Sequence, residues 1–236
     1  MAVSVDTVYQ RVLTLANKEQ RGYITPQEFN LLANQAQLEI LNQYFYDINQ
    51  WNAKHGNSHE YSDMISLINE KIAIFNVRDL NVIVTNGIFP IVGNTSLSFN
   101  VYKIGSVFEN TRQVEIEEVN YNEYQTMQLG PLTRPTETRP VYVNRIDGIN
   151  IYPNTGIKSI DIQYIKVPNT VQWGYVVVNE KALYNDNTAQ NFELHGSEET
   201  ELVFKILKLA GITMKNAEVV QVGGALEQGQ IQQEKQ

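Results

Sequence analysis

Ile72-Ala73-Ile74-Phe75-Asn76-Val77 and Asn81-Val82-Ile83-Val84 lie side by side in the chain and obey different rules. The first closes a run in which Tyr61, Ile65, Ile68, Ile72 and Phe75 recur every three to four residues, the period of a helix buried along one stripe. From Val77 onward the period falls to two. Leu97–Tyr102, Gln113–Glu117, Val141–Val143, Ile149–Tyr152 and Ile160–Ile165 then read as short strands. Asn86-Gly87, Gly93-Asn94 and Asn154-Thr155-Gly156 punctuate them, and Asp147-Gly148 between two apolar runs is a hairpin signal. The middle of the chain is therefore expected to be a small antiparallel sandwich or barrel, and the whole an α+β protein. Pro131 to Pro140, with Arg134-Pro135 and Arg139-Pro140, fits neither period and is expected as an extended loop.

Upstream, the pattern predicts a helix over Val5 to Ala16, capped by Ser4 or Asp6, with Val5, Val8, Val12 and Leu15 on one face. Thr25-Pro26-Gln27-Glu28 is a capping box that opens a second helix running to about Phe45. Phe29, Leu32, Ala33, Ala36 and Ile40 form its first apolar stripe, and Leu31, Leu38, Leu41 and Phe45 a second. A helix apolar on two sides needs contact on more than one side. Asn52 to Ser58 is expected as a loop, and His59 to Asn76 as the third helix. Downstream, Ser197 is the expected cap of a final helix, with Leu202, Val203, Ile206, Leu207 and Ala210 buried and Gly211 as its stop. Glu198 and Glu199 sit at its positive end, with Lys205 and Lys208 toward the negative end. The expected division is a helical part over 1–76, an inserted β domain over 77–180, a returning helix over 181–215 and a Gln-rich tail over 216–236.

With 42% hydrophobic residues the 236-residue chain can bury a core, and without cysteine it has no disulfide, thiol nucleophile or Cys-containing zinc site. The start lacks the basic and apolar regions of a signal peptide, and no stretch is apolar enough for a membrane span. A soluble protein made in a cytoplasm is expected. Its 18 basic and 26 acidic residues give a net charge of −8, with no basic stripe for gripping nucleic acid. An acidic wall suits DNA that slides past.

Candidate chemistry is sparse. Asn17 to Glu28 imitates a calcium loop, with Gly22, Ile24 and Glu28 in register, but Arg21 stands at a ligand position and Thr25-Pro26 explains the segment as a helix start. His55, His59 and His195 offer no convergent third ligand, and Gly56-Asn57-Ser58 argues for a loop between the first two. Glu115, Glu117 and Glu118 read as solvent-facing strand residues. There is no nucleophile elbow, Walker loop or dinucleotide fingerprint, so neither an enzyme nor a cofactor is expected. Trp173-Gly174-Tyr175 either closes the core of the β region or anchors a subunit contact; a carbohydrate platform is the alternative from another class.

Arg21–Asn30, Asn34–Glu39, Glu70-Lys71-Ile72 with Phe75, Pro131–Thr136, Arg139–Tyr142, Ile151-Tyr152-Pro153, Tyr164–Pro168, Trp173-Gly174-Tyr175, Glu198–Val203 and Leu209–Ile212 follow in that order over nearly the whole chain. In these marks the chain resembles the structural ring proteins of crAss-like and related tailed phages. The organisation is also similar to podovirus tail-tube adaptors, in which helices from both chain ends pack around an inserted β region. The resemblance implies a virion protein of the head–tail neck, a homo-oligomeric ring, typically twelvefold, docked below the portal protein and contacting neighbouring tail proteins. DNA would pass through its lumen without specific binding, and no membrane is involved. A tail-hub or lower neck ring is the alternative within the same class. The expected subunit or partner contacts are Leu31 and Leu38, Trp173 and Tyr175, and Ile212 and Met214.

Overall fold

A computed structural model describes residues 3–17, 24–53, 59–91, 97–146 and 148–213, together with 224–225 and 228–229. The fold is α+β and divides into two compact units, one formed by residues 1–74 and 168–236, the other by 75–167.

The first unit holds helices α1 (Val5–Asn17), α2 (Pro26–Ala53) and α3 (His59–Ala73). The returning helix α5 (Glu199–Thr213) packs against α1 and α2, so the two ends of the sequence share one core. Val5, Val8 and Val12 of α1, Phe29, Ile40 and Leu41 of α2, and Leu202 and Ile206 of α5 are fully buried. The capping box opens α2 as its sequence requires. The Glu28 N–H donates to Thr25 Oγ1 at 3.3 Å, and the Thr25 N–H donates to Glu28 Oε2 at 3.0 Å. The Thr25 N–H, and the Thr25 hydroxyl that donates to Glu28 Oε2 at 2.8 Å, hold the Glu28 carboxyl below its ordinary range. Glu28 is thereby committed to the cap, where a calcium loop would need it as a ligand. Residues 18–23 of that segment lie outside the described residues.

Several expectations shift. α2 continues to Ala53, past the loop predicted at Asn52, and His55 lies outside the described residues. α5 is preceded by a 3₁₀ turn at Gly196–Glu198 whose cap is His195: its Nδ1 accepts from the Ser197 N–H at 3.3 Å. Ser197 instead turns its hydroxyl to Glu198 Oε1 at 3.0 Å. Gly211 does not stop the helix, which runs to Thr213. Leu15, expected in the buried stripe of α1, is 37% exposed.

The second unit is a sandwich of two four-stranded sheets around one core. The first sheet contains β1 (Asn76–Ile83), β3 (Val101–Glu109), β4 (Val114–Glu115) and β8 (Ser159–Lys166), in the order β1-β8-β3-β4 and antiparallel throughout. The second contains β2 (Ile88–Phe89), β5 (Glu117–Glu118), β6 (Val141–Arg145) and β7 (Gly148–Tyr152), in the order β2-β7-β6-β5. Only the β5–β6 pair is parallel there. β4 and β5 flank Ile116, whose buried side chain marks where the chain crosses from one sheet to the other. Val107, Ile160, Ile162 and Tyr164 of the first sheet meet Phe89, Tyr142, Ile149 and Ile151 of the second in one apolar cluster. A sandwich, not a barrel, is therefore the outcome of the two alternatives. The β6–β7 hairpin forms where Asp147-Gly148 predicted it, with Arg145 opposite Gly148. Gly148 at φ +131 is required: a Cβ there would meet the Phe89 carbonyl oxygen at 2.1 Å.

β3 begins at Val101, so most of the strand expected over Leu97–Tyr102 is not strand, and β2, a helix and a hairpin had not been foreseen. Helix α4 (Tyr121–Leu129) covers the second sheet by stacking Tyr124 on Tyr152, 3.9 Å between ring centroids. The hairpin of β9 (Tyr175–Val178) and β10 (Lys181–Tyr184) belongs to the helical unit, so the β insert ends at Val167 and not at 180.

Candidate interaction surfaces

The segment after the sandwich runs extended beside α2, and amide side chains hold it there. Asn34 accepts from the Val171 N–H at 2.7 Å and donates to the Val171 carbonyl at 2.9 Å. Asn30 accepts from the Trp173 N–H at 2.7 Å, and Gln37 donates to the Asn169 carbonyl at 3.0 Å. The spacing works because four residues of helix advance about 6 Å, close to the roughly 6.6 Å that two residues of extended chain cover. One helix face thus serves as a neighbouring strand for residues 169, 171 and 173.

This clamp delivers Trp173 into the helical unit. Its indole N–H donates to Asp6 Oδ1 at 3.0 Å, and its ring lies 4.3 Å from that of Tyr9. Tyr175 and Tyr184 close the remaining approaches, with ring centroids 5.9 and 5.8 Å away. At 2% exposure Trp173 is a core residue of the helical unit, which corrects its assignment both as a contact residue and as the closure of the β region. It also leaves no open ring face for a sugar to stack on.

The hairpin grows from that aromatic base. Tyr175 and Tyr184 form one cross-strand pair, and Val176 and Leu183 the next, pointing to the opposite face. Val176, Val178 and Leu183 share this outer face and are 50%, 46% and 53% exposed. The turn at Asn179-Glu180 places both residues at positive φ, 49° and 63°, the two-residue geometry that matches strand twist. A glutamate is costly at such a position, and here it puts a carboxylate at the apex.

A second surface lies between α1 and α5. Leu15, Val203 and Phe204 form an apolar groove of about 380 Å³, edged by Gln10, Arg11, Thr14 and Thr200. Arg11 on the rim pairs with Glu199 at 2.9 Å. On α1, Asp6 and Tyr9 face Trp173 while Arg11 and Leu15 face the groove. At 100° per residue these two sets stand on roughly opposite sides of the helix.

Of the other contacts expected from sequence, Leu31 is 74% and Leu38 41% exposed on one face of α2, while Leu41 of the same stripe is fully buried. Tyr175 is half-buried at the hairpin root. Ile212 lies in the last turn of α5 with its side chain outside the described residues, as is all of Met214. The tail predicted over 216–236 is also outside them except at 224–225 and 228–229.

Buried chemistry concentrates at the start of α5. Glu198 Oε1 meets Lys71 Nζ at 2.6 Å, and Glu201 Oε1 meets Lys205 Nζ at 3.2 Å. Burial drives Glu201 up to about 7, helped by the Glu198 carboxyl and opposed by the Lys205 charge. Burial also acts to raise Glu198, but the hydrogen bond and charge of Lys71 outweigh it and hold Glu198 below the ordinary range. In the β unit, Glu115, Glu117 and Glu118 line a hollow with Tyr142. Glu118 is engaged there, accepting from Tyr142 Oη at 3.2 Å and Asn144 Nδ2 at 2.7 Å. No group of three metal-ligating side chains occurs among the described residues. Among them, too, no helix is long and apolar enough to cross a membrane.

Comparison with protein-family models and with curated proteins finds no match to this chain.

Proposed function

We propose that this protein is a structural subunit of the head–tail neck of a tailed bacteriophage, forming a ring beneath the portal through which DNA passes. One observation carries the reading: helices from both ends of the chain close into one unit, and a β sandwich is inserted between them. That is the arrangement the resemblance to ring and adaptor proteins implies. A net charge of −8 suits a lumen that must not hold DNA. Exposed Leu31, Leu38, Val176, Val178 and Leu183 give the helical unit apolar surface for neighbours. The polar chemistry is engaged in folding: Glu198 and Glu201 pair with lysines inside the helical unit, and Glu28 caps a helix. In this role the protein catalyses nothing and carries no cofactor.

Quantitative peptide mass spectrometry of purified virions, normalised to the portal protein, tests the proposal. The expected result is about one copy per portal subunit. Presence at a clearly different ratio would favour a tail-hub or lower neck ring, and absence from virions would overturn the structural role.

A further inference from the structure

We infer that the β9–β10 hairpin of one copy seats its outer face in the α1–α5 groove of the next copy, so that the subunits associate head to tail. The inference specifies the subunit contact of the proposed ring and rests on that reading for closure into a ring.

A two-stranded hairpin has little stability by itself in water, and only the root of this one rests on Trp173, through Tyr175 and Tyr184, while Val177 farther along that face is 63% exposed. The opposite face presents three adjacent aliphatic side chains, Val176, Val178 and Leu183, each about half exposed. The same unit carries a groove floored by Leu15, Val203 and Phe204. Charges accompany both surfaces. Glu180 and Lys181 stand exposed at the hairpin tip, and the Arg11–Glu199 ion pair stands at the groove rim. An anion beside a cation on one surface meets a cation beside an anion on the other.

Geometry selects the kind of association. The hairpin roots on the Asp6–Tyr9 side of α1 and the groove opens on the Arg11–Leu15 side. A twofold dimer would need hairpin and groove side by side, so that each copy fills the other's groove, and surfaces on roughly opposite sides of one helix disfavour that reciprocal exchange. They are satisfied by a repeating heterologous contact, which closes into a ring when its rotation divides the circle.

The chain has no cysteine, which makes disulfide mapping clean. Full-length Val178→Cys and Thr14→Cys are prepared separately, then mixed under mild oxidation. The mixture should give about tenfold more disulfide-linked dimer than either variant alone. A Val176→Glu/Leu183→Glu double variant introduced into the Val178→Cys chain should abolish the cross-link while leaving the circular dichroism spectrum unchanged. Four results would overturn the inference. Val178→Cys alone dimerising as well as the mixture means hairpin pairs with hairpin. A chain carrying both cysteines that closes only on itself means the contact is internal. A cross-link that appears only after removal of residues 214–236 means that segment fills the groove. No cross-link above that of Val178→Cys mixed with Glu123→Cys, a position on the β unit, means no such contact exists. The readout uses purified protein, so a cross-link with no virion copies refutes the neck location alone, and virion copies without a cross-link refute this contact alone.

Discussion

Glu201 shows how a single residue makes stability depend on pH. It is 5% exposed, shares a buried site with Glu198, and is pushed up to about 7 from the 4.5 of an unperturbed carboxyl. The folded protein therefore holds a proton there that the unfolded chain has already released. A carboxyl raised in this way contributes stability that is full below about 4.5 and is lost as pH rises through about 7. Glu198, held low by Lys71, acts in the opposite sense: its contribution is present above the unfolded value and is lost on acidification. Between pH 5 and 8 the Glu201 effect governs this site, so the wild-type melting temperature should fall across that interval. Glu201→Gln keeps a neutral hydrogen-bonding group beside Glu198 and removes the titration. Thermal melts of both proteins in steps from pH 5 to 8 check this: the variant should show a flatter decline, and parallel slopes would show that Glu201 does not titrate there.

At the scale of the element, the segment 169–173 has backbone in an extended conformation yet its partner is helix α2. Asn34 supplies both hydrogen bonds for Val171, itself 2% exposed, so Asn34→Ala leaves a buried N–H and carbonyl unmet. The expected loss is about 2 kcal/mol in urea unfolding. Gln35→Ala, one residue away but itself exposed and bonded to Glu39, should cost less than about 0.5 kcal/mol. Equal effects would mean that the amide ladder does not hold the segment. This ladder also explains what sequence reading reached and what it missed. Apolar periodicity located α1, α2, α3, α5 and the sandwich because a buried stripe must repeat with the element that carries it. Asn30, Asn34 and Gln37 share a helix face too, but a polar stripe ordinarily means solvent, and nothing local shows that a strand will lie on it. Trp173 was misassigned for the same reason, since its partners Asp6 and Tyr9 are more than 160 residues away in sequence. The final hairpin lacked an Asn-Gly signal because its turn is Asn179-Glu180. In the second apolar stripe of α2, Leu31 and Leu38, the expected contacts, are exposed, whereas Leu41 supplies the core.

At the scale of the molecule, the β sandwich is inserted through ends that nearly touch. Asn76 of β1 pairs with Ile165 of β8, and the Lys166 N–H donates to the Phe75 carbonyl at 2.9 Å. The insert thus enters and leaves through neighbouring antiparallel strands, and its first and last residues are already brought together by its own sheet. Its core is likewise internal: the cluster that includes Phe89, Val107, Tyr142, Ile149, Ile151, Ile160, Ile162 and Tyr164 draws only on residues of the second unit. Tyr164 ties the middle of that sheet, its hydroxyl donating to Asp79 at 2.8 Å and accepting from the Phe99 N–H at 3.1 Å. A segment with its own core and adjoining ends needs no help from the rest of the chain to close its fold. Residues 75–167 expressed alone should therefore fold, giving a cooperative thermal transition and dispersed amide resonances. In the complementary chain, Ile74 joined to Pro168 through a short glycine–serine linker should retain the α1, α2 and α5 packing, because the gap to be spanned is the width of two paired strands, about 5 Å. If 75–167 is unfolded alone while the linked helical chain is folded, the sandwich depends on contacts outside itself. If the reverse holds, the helices need the insert as a template, and ring assembly would have to begin after the sandwich has formed.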